Sequence, residues 1–133
     1  MWSCPSFNEL RREGLAAARW SLLHPSEKPK PSYVEQCLAP TKGPVIASTD
    51  YMRTFADQIR EFVPRRYKVL GTDGFGRSDS RENLRRFFEV DRHYVALAAL
   101  KALAEDGEVP AAKVAEAIKK YGIDADRPAP WTV

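Results

Sequence analysis

"VIASTDYMRTFADQIREFVPRRYKVLGTDG" spans residues 45–74 and decides the fold class. Val45–Ala47 is short, apolar and bounded by turn-forming residues, so it reads as a buried strand. Ser48, Thr49 and Asp50 follow as three candidate helix caps. Met52, Phe55, Ala56, Ile59, Phe62 and Val63 then recur at steps of three and four, which places them on one helical face. Arg53, Asp57, Arg60 and Glu61 fall elsewhere on that helix. Pro64 ends it, because proline brings no amide donor. Tyr67–Leu70 is a second buried strand. Strand, amphipathic helix and strand in this order predict a parallel pair covered by helices, an α/β layer.

Upstream, Ser6 stands three residues before Glu9, the spacing of a capping box, and predicts a helix over 7–23. Gly14 inside it is a candidate break. Residues 2–7 read as a further short strand, weakened by Cys4 and Pro5. Residues 24–44 form a proline-rich connector inside the domain, with Tyr33–Leu38 as one short helical segment. Downstream, a helix over about 80–90 should bury Leu84, Phe87 and Phe88. Asp91 caps another over 92–105, carrying Tyr94, Leu97, Leu100 and Ala104. Gly107 suits its C-terminal turn, Pro110 opens a last helix, and Gly122 stops it. Residues 123–133 should be an extended tail. The whole reads as one domain over 1–133, helix-rich, with a short and mostly parallel sheet. Two good strands are fewer than the four to six usual in an open sheet, so the expectation is an incomplete domain.

The glycine loop after the second strand, "VLGTDGFGRSDSREN" (69–83), sits where an α/β protein would hold a phosphate. The pattern fails on its own terms. Gly71 and Gly76 have Walker spacing, but Arg77-Ser78 stands where a lysine and a Ser or Thr are required. The dinucleotide fingerprint needs its close glycine pair first, and here the order is reversed. Free amides at a helix start could still hold a simple anion, although Asp79 and Glu82, themselves spaced as a second cap, would repel one. The structural reading is a sharp strand-to-helix turn. Phe75 lies between glycines, where its ring either packs on something outside the chain or folds back within the domain. Arg77 could reach a neighbour's carboxylate or carbonyl. Phe75 and Arg77 are therefore the candidate interface residues.

Composition narrows the rest. The 133 residues carry a net charge of +3. Residues 77–92 hold five arginines (77, 81, 85, 86, 92) against Asp79, Glu82, Glu89 and Asp91, a net of only +1. That balance describes a solvated, ion-paired helix face and argues against nucleic acid as a partner. The longest apolar run, Tyr94–Leu100, is too short to span a bilayer, and no signal peptide is visible, which sets a cytoplasmic location as the expectation. Cys4 and Cys37 have no companions at metal-ligand spacing and read as reduced, partly buried thiols. His24 and His93 are equally isolated, and neither is favoured as a catalytic base.

The stretch "STDYMRTFADQIREFVPRRYKVLGTDGFGRSDSRENLRRFFEVDRHYV" resembles the C-terminal part of the homodimeric-type pyruvate dehydrogenase decarboxylating component, a thiamine-diphosphate-dependent family. "WSCPSFNELRREG", "RWSLLHP" and "GIDADRP" are similar to the same family in the same order. The resemblance covers essentially the whole chain, and "LGTDGFGRSDSRENLR" is its most specific part. It implies a partial transketolase C-terminal domain with a structural, dimer-packing role. It implies that thiamine diphosphate and magnesium are bound elsewhere in the parent, and that this chain carries no catalytic, cofactor or metal residue and is inactive alone. Partners implied are the remaining domains of the subunit, its dimer mate and, in a second view, the acyltransferase core. In the family a strand and a helix precede "WSC", where Met1 stands here; a fragment is therefore the expectation. The alternative function is a stand-alone interaction module that docks to a dehydrogenase-complex subunit without catalysis.

Overall fold

The computed structural model describes residues 1–133. Two four-residue strands, β1 (Val45–Ser48) and β2 (Tyr67–Leu70), pair in parallel with Val45 opposite Tyr67 and Ser48 opposite Leu70. Six α-helices surround them: α1 (Phe7–Leu23), α2 (Tyr33–Leu38), α3 (Arg53–Asp57), α4 (Arg81–Phe87), α5 (Arg92–Glu105) and α6 (Ala111–Lys120). The fold is a helix-rich α/β layer with a two-stranded parallel sheet.

Because strand side chains alternate, the odd-numbered residues of both strands share one face. Val45, Ala47, Tyr67 and Val69 join the main core there with Val34, Ile59, Phe62, Val63, Phe7, Leu10 and Leu38. On the other face, Ser48 donates to the Val90 carbonyl and Lys68 reaches Glu105 on α5. Helix α5 packs on both strands, and α6 packs on α5.

Local capping starts α1 and α5 as the sequence predicts. Ser6 accepts from the Glu9 amide at 3.2 Å, and Asp91 accepts from the amides of His93 and Tyr94. Ser32 and Glu35 form a complete capping box on α2 that the sequence reading did not identify. Gly107 and Gly122 take positive φ at the ends of α5 and α6, the left-handed turn that favours glycine.

Several expectations need correction. Residues 2–7 form no strand; Cys4 and Pro5 lead into the cap of α1. Gly14 does not break α1: a Cβ there would lie 2.5 Å from the Phe62 ring, so glycine lets the ring pack against the helix. The expected helix over 52–63 is α3 followed by a 3-10 turn, Arg60–Phe62. The buried Tyr67 hydroxyl donates to the Ala56 carbonyl at 2.8 Å, the acceptor that a continuing α-helix would offer to the Arg60 amide. Met52, at the N-cap of α3, and Phe55 are 52% and 40% exposed rather than part of the core. Asp79 does not cap α4. Ser80 does, accepting from the Asn83 amide. The end of the tail is not extended: Pro130–Thr132 is a 3-10 turn and Pro130 is fully buried.

Only 15 of 133 residues are buried, and the chain exposes 9309 Å². A folded monomer of 15.0 kDa should expose about 7,000 Å². The surplus, about a third, shows elements that are locally complete around a core too small to cover them.

Candidate functional site

The glycine loop leaves β2 and passes directly over the start of α3. A Cβ on Gly71 would meet the Arg53 amide nitrogen at 2.7 Å and the Tyr51 carbonyl oxygen at 2.9 Å. Glycine therefore permits a backbone crossing that no side chain allows. Two hydrogen bonds fasten it: the Thr72 amide donates to the Tyr51 carbonyl at 2.9 Å, and the Thr72 hydroxyl to the Asp50 carbonyl at 2.7 Å. Asp73 then supplies the cap that Ser48, Thr49 and Asp50 do not. Its carboxylate accepts from the Arg53 amide at 3.1 Å and lies 3.3 Å from the Arg53 guanidinium. The loop thus caps the helix that precedes it by twenty residues of chain.

The tail closes the other side. Gly74 has φ +101, and a Cβ there would lie 2.8 Å from the Cα of Trp131. The Arg53 guanidinium sits 4.4 Å from the Trp131 ring centroid, so one arginine links cap and tail. Arg127 donates to the Phe87 carbonyl at 2.8 Å and holds the tail against α4.

These contacts leave Phe75 at the apex, 84% exposed, with no packing inside the chain. Arg77 behaves differently: its guanidinium lies 4.0 Å over the Phe87 ring. The structure thus brings the two candidate residues to one loop but points one outward and holds the other against α4. Near the base of the loop, Tyr51 and Phe55 touch at 5.2 Å between rings, and Tyr51, Met52 and Trp131 are 69%, 52% and 47% exposed. Sequence reasoning missed Tyr51 and Trp131, and no local pattern marks them, because they meet the loop only through long-range contacts.

Beside Phe75, at the carboxyl ends of both strands, opens a cleft of about 570 Å³. Gly74 and Gly76 line it, with Asp50, Arg77, Arg81 and Arg85 among the other walls. Arg85 pairs with Asp50 at 3.1 Å. The Asp79 carboxylate, also in the wall, accepts from the Asn83 side-chain amide and the Ser80 amide, and these bonds hold its pKa below the ordinary 3.8. Arg81 is exposed and forms no ion pair.

The remaining titratable candidates lie elsewhere. His24 stacks on Trp20 with Nδ1 donating to the Trp20 carbonyl at 2.7 Å, and His93 packs on Tyr121. Cys4 and Cys37 are free and half-buried; burial pushes the Cys4 thiol up, partly offset by a hydrogen bond from the Ser6 backbone. No group of three His, Cys, Asp or Glu side chains converges as a metal site. No helix is long and apolar enough to cross a membrane.

A parallel strand pair with a glycine turn at its carboxyl ends and helices on both faces defines a helix-rich α/β layer. Residues 1–91 match the transketolase-like TK C-terminal domain, and the chain belongs to that family. It is 67% identical over 128 residues to the pyruvate dehydrogenase E1 component of Pseudomonas aeruginosa, covering 96% of this chain and 14% of that one. It is 64% identical over 133 residues to the same component of Cupriavidus necator, covering 100% of this chain and 15% of the relative. Against the Escherichia coli K12 protein the identity is 54% over 128 residues, again 96% and 14%. The chain therefore spans only 14 to 15% of the length of these relatives.

Proposed function

We propose that this chain is a C-terminal packing segment of a thiamine-diphosphate-dependent pyruvate dehydrogenase subunit, contributing surface to the subunit and its dimer rather than chemistry. The observation that carries the reading is the uncovered area: 9309 Å² on a chain with 15 buried residues. Large apolar side chains stand on it. Leu15, Leu22 and Leu23 project from α1 at 41%, 76% and 55% exposure, and Phe75 projects from the loop at 84%. Isolated exposed apolar residues are ordinary; the proposal rests on their number together with the uncovered area.

In this reading the parent decarboxylates pyruvate and passes the acetyl group to a lipoyl carrier. Thiamine diphosphate and magnesium sit in its other domains. Magnesium takes oxygen ligands in a tight octahedron, and no converged set of carboxylates here fits it. Phe75 and Arg77 are interface residues, Phe75 through its exposed ring and Arg77 by bracing the loop on Phe87. The exposed Phe75 also favours a second reading, a stand-alone module that docks to a subunit of the dehydrogenase complex, the acyltransferase core among them.

The test combines the chain with a Cupriavidus necator pyruvate dehydrogenase E1 component lacking its matching C-terminal residues. Co-elution and recovery of pyruvate decarboxylation are expected. Calorimetry should find no thiamine diphosphate bound to the chain alone. Micromolar binding there, or failure to associate with the truncated component, would sink the proposal.

A further inference from the structure

We infer that the cleft beside Phe75 is the receptor for an acidic segment of the parent polypeptide, one bearing a carboxylate next to an apolar side chain. The inference rests on the packing role proposed above and names the chemistry of the surface that covers this face.

Charge is the first ground. Three guanidiniums line the cleft, and two are already occupied: Arg85 by Asp50, Arg77 by the Phe87 ring. Asp79 is turned toward Ser80 and Asn83, whose donors absorb its charge. Arg81 is left exposed at the wall with no acid or carbonyl of its own chain. A guanidinium offers a planar fork that matches a carboxylate in two-point fashion. An arriving carboxylate would meet Arg81, with Arg85 close behind it along α4.

Shape is the second. Phe75 stands between Gly74 and Gly76, both in the cleft wall, and its own ring is 84% exposed beside it. The loop backbone beside the cleft also approaches Trp131 at Gly74 and Tyr51 at Gly71, and both rings are exposed, with Phe55 against Tyr51. A small anion would fill the cleft and leave those rings wet. A polypeptide segment covers both, and aromatic residues and arginine are each enriched at protein interfaces.

The source of the segment is the third. The relatives carry this stretch as 14 to 15% of their length, so most of each relative's polypeptide lies outside the matched part and is available to cover it. The surplus of exposed area on this chain, about 2,300 Å² against the size expectation, exceeds the roughly 800 Å² that one partner contributes to a standard interface.

The experiment measures affinity between the chain and the truncated Cupriavidus necator component at low and high salt. Four forms are compared: parent, Arg81→Ala, Arg81→Glu and Phe75→Ala. Arg81→Glu should weaken binding by more than about tenfold, Arg81→Ala by less, and Phe75→Ala by about tenfold. The salt dependence of the parent should shrink in Arg81→Ala. Far-UV circular dichroism of the free variants should match the parent, since neither side chain packs within the chain. Unchanged affinity and salt dependence in both Arg81 variants, with Phe75→Ala still weakened, overturns the acidic segment and leaves the packing role standing. No binding by any form overturns both.

Discussion

Replacing Gly71 with alanine should destabilise the chain by about 2 kcal/mol, and the figure follows from geometry. The new Cβ would sit 2.7 Å from the Arg53 nitrogen and 2.9 Å from the Tyr51 oxygen, and both are backbone atoms. Ordinary contact requires the loop and the start of α3 to part by more than half an ångström. Overpacking of this kind costs about 1–3 kcal/mol. The same movement stretches the Thr72–Tyr51 hydrogen bond, now 2.9 Å, and the Asp73 cap on Arg53, now 3.1 Å. Each is worth about 1 kcal/mol. Against this, alanine restricts the unfolded chain and returns about 0.4–1 kcal/mol. With a urea slope of about 2 kcal/mol per molar, the midpoint should fall by about 1 M. Gly76→Ala is the internal control: nothing lies within 4 Å of its Cβ position. Its midpoint should match or slightly exceed the parent's. If Gly71→Ala unfolds with Gly76→Ala at the parent midpoint, the loop does not cross α3 as described.

Two further outcomes test other parts of the structure. Tyr67→Phe removes the donor to the Ala56 carbonyl and should cost about 1–2 kcal/mol in urea unfolding; an unchanged midpoint would mean that this bond does not interrupt α3. Asp79 is held below its ordinary 3.8 by Asn83 and Ser80, so its carboxylate favours the folded chain above that value. That contribution is lost as pH falls through the depressed folded value. The stability of Asp79→Asn should therefore decline less steeply than the parent's as pH falls from about 5 to 2, and parallel declines would refute the assignment.

The elements themselves were legible in the sequence because their signals are local. Val45–Ala47 and Tyr67–Leu70 are apolar runs between turn residues, and Asp91 caps α5 from the adjacent position. What escaped was fixed at a distance. The cap of α3 belongs to Asp73, and the break in α3 belongs to Tyr67, eleven residues beyond the carbonyl it takes. Helical periodicity could not show that Met52 and Phe55 would lie outside, because periodicity marks a shared face and not what packs against it. The candidate site was half legible. The order of glycines failed both phosphate-loop patterns but left simple anion binding open, and it left Phe75 between an outward ring and one packed within the domain. Arg81 was visible only as one charge in a balanced run, since its lack of a partner is a property of folded neighbours.

The contrast between complete local structure and sparse burial bears on how the surface works. Side-chain caps start α1, α2, α4 and α5, and positive-φ glycines end α5 and α6. These devices fix the backbone by contacts within a few residues. The loop adds longer ties, through Gly71, Asp73 and the tail at Trp131. Every one of them orients the base of the loop, and none touches the Phe75 ring. A partner that covers Phe75 therefore meets a ring whose backbone is already positioned, and spends little binding free energy on ordering it. The same ties cap α3 and anchor the tail. In the proposed packing role they also present Phe75 as a preformed contact.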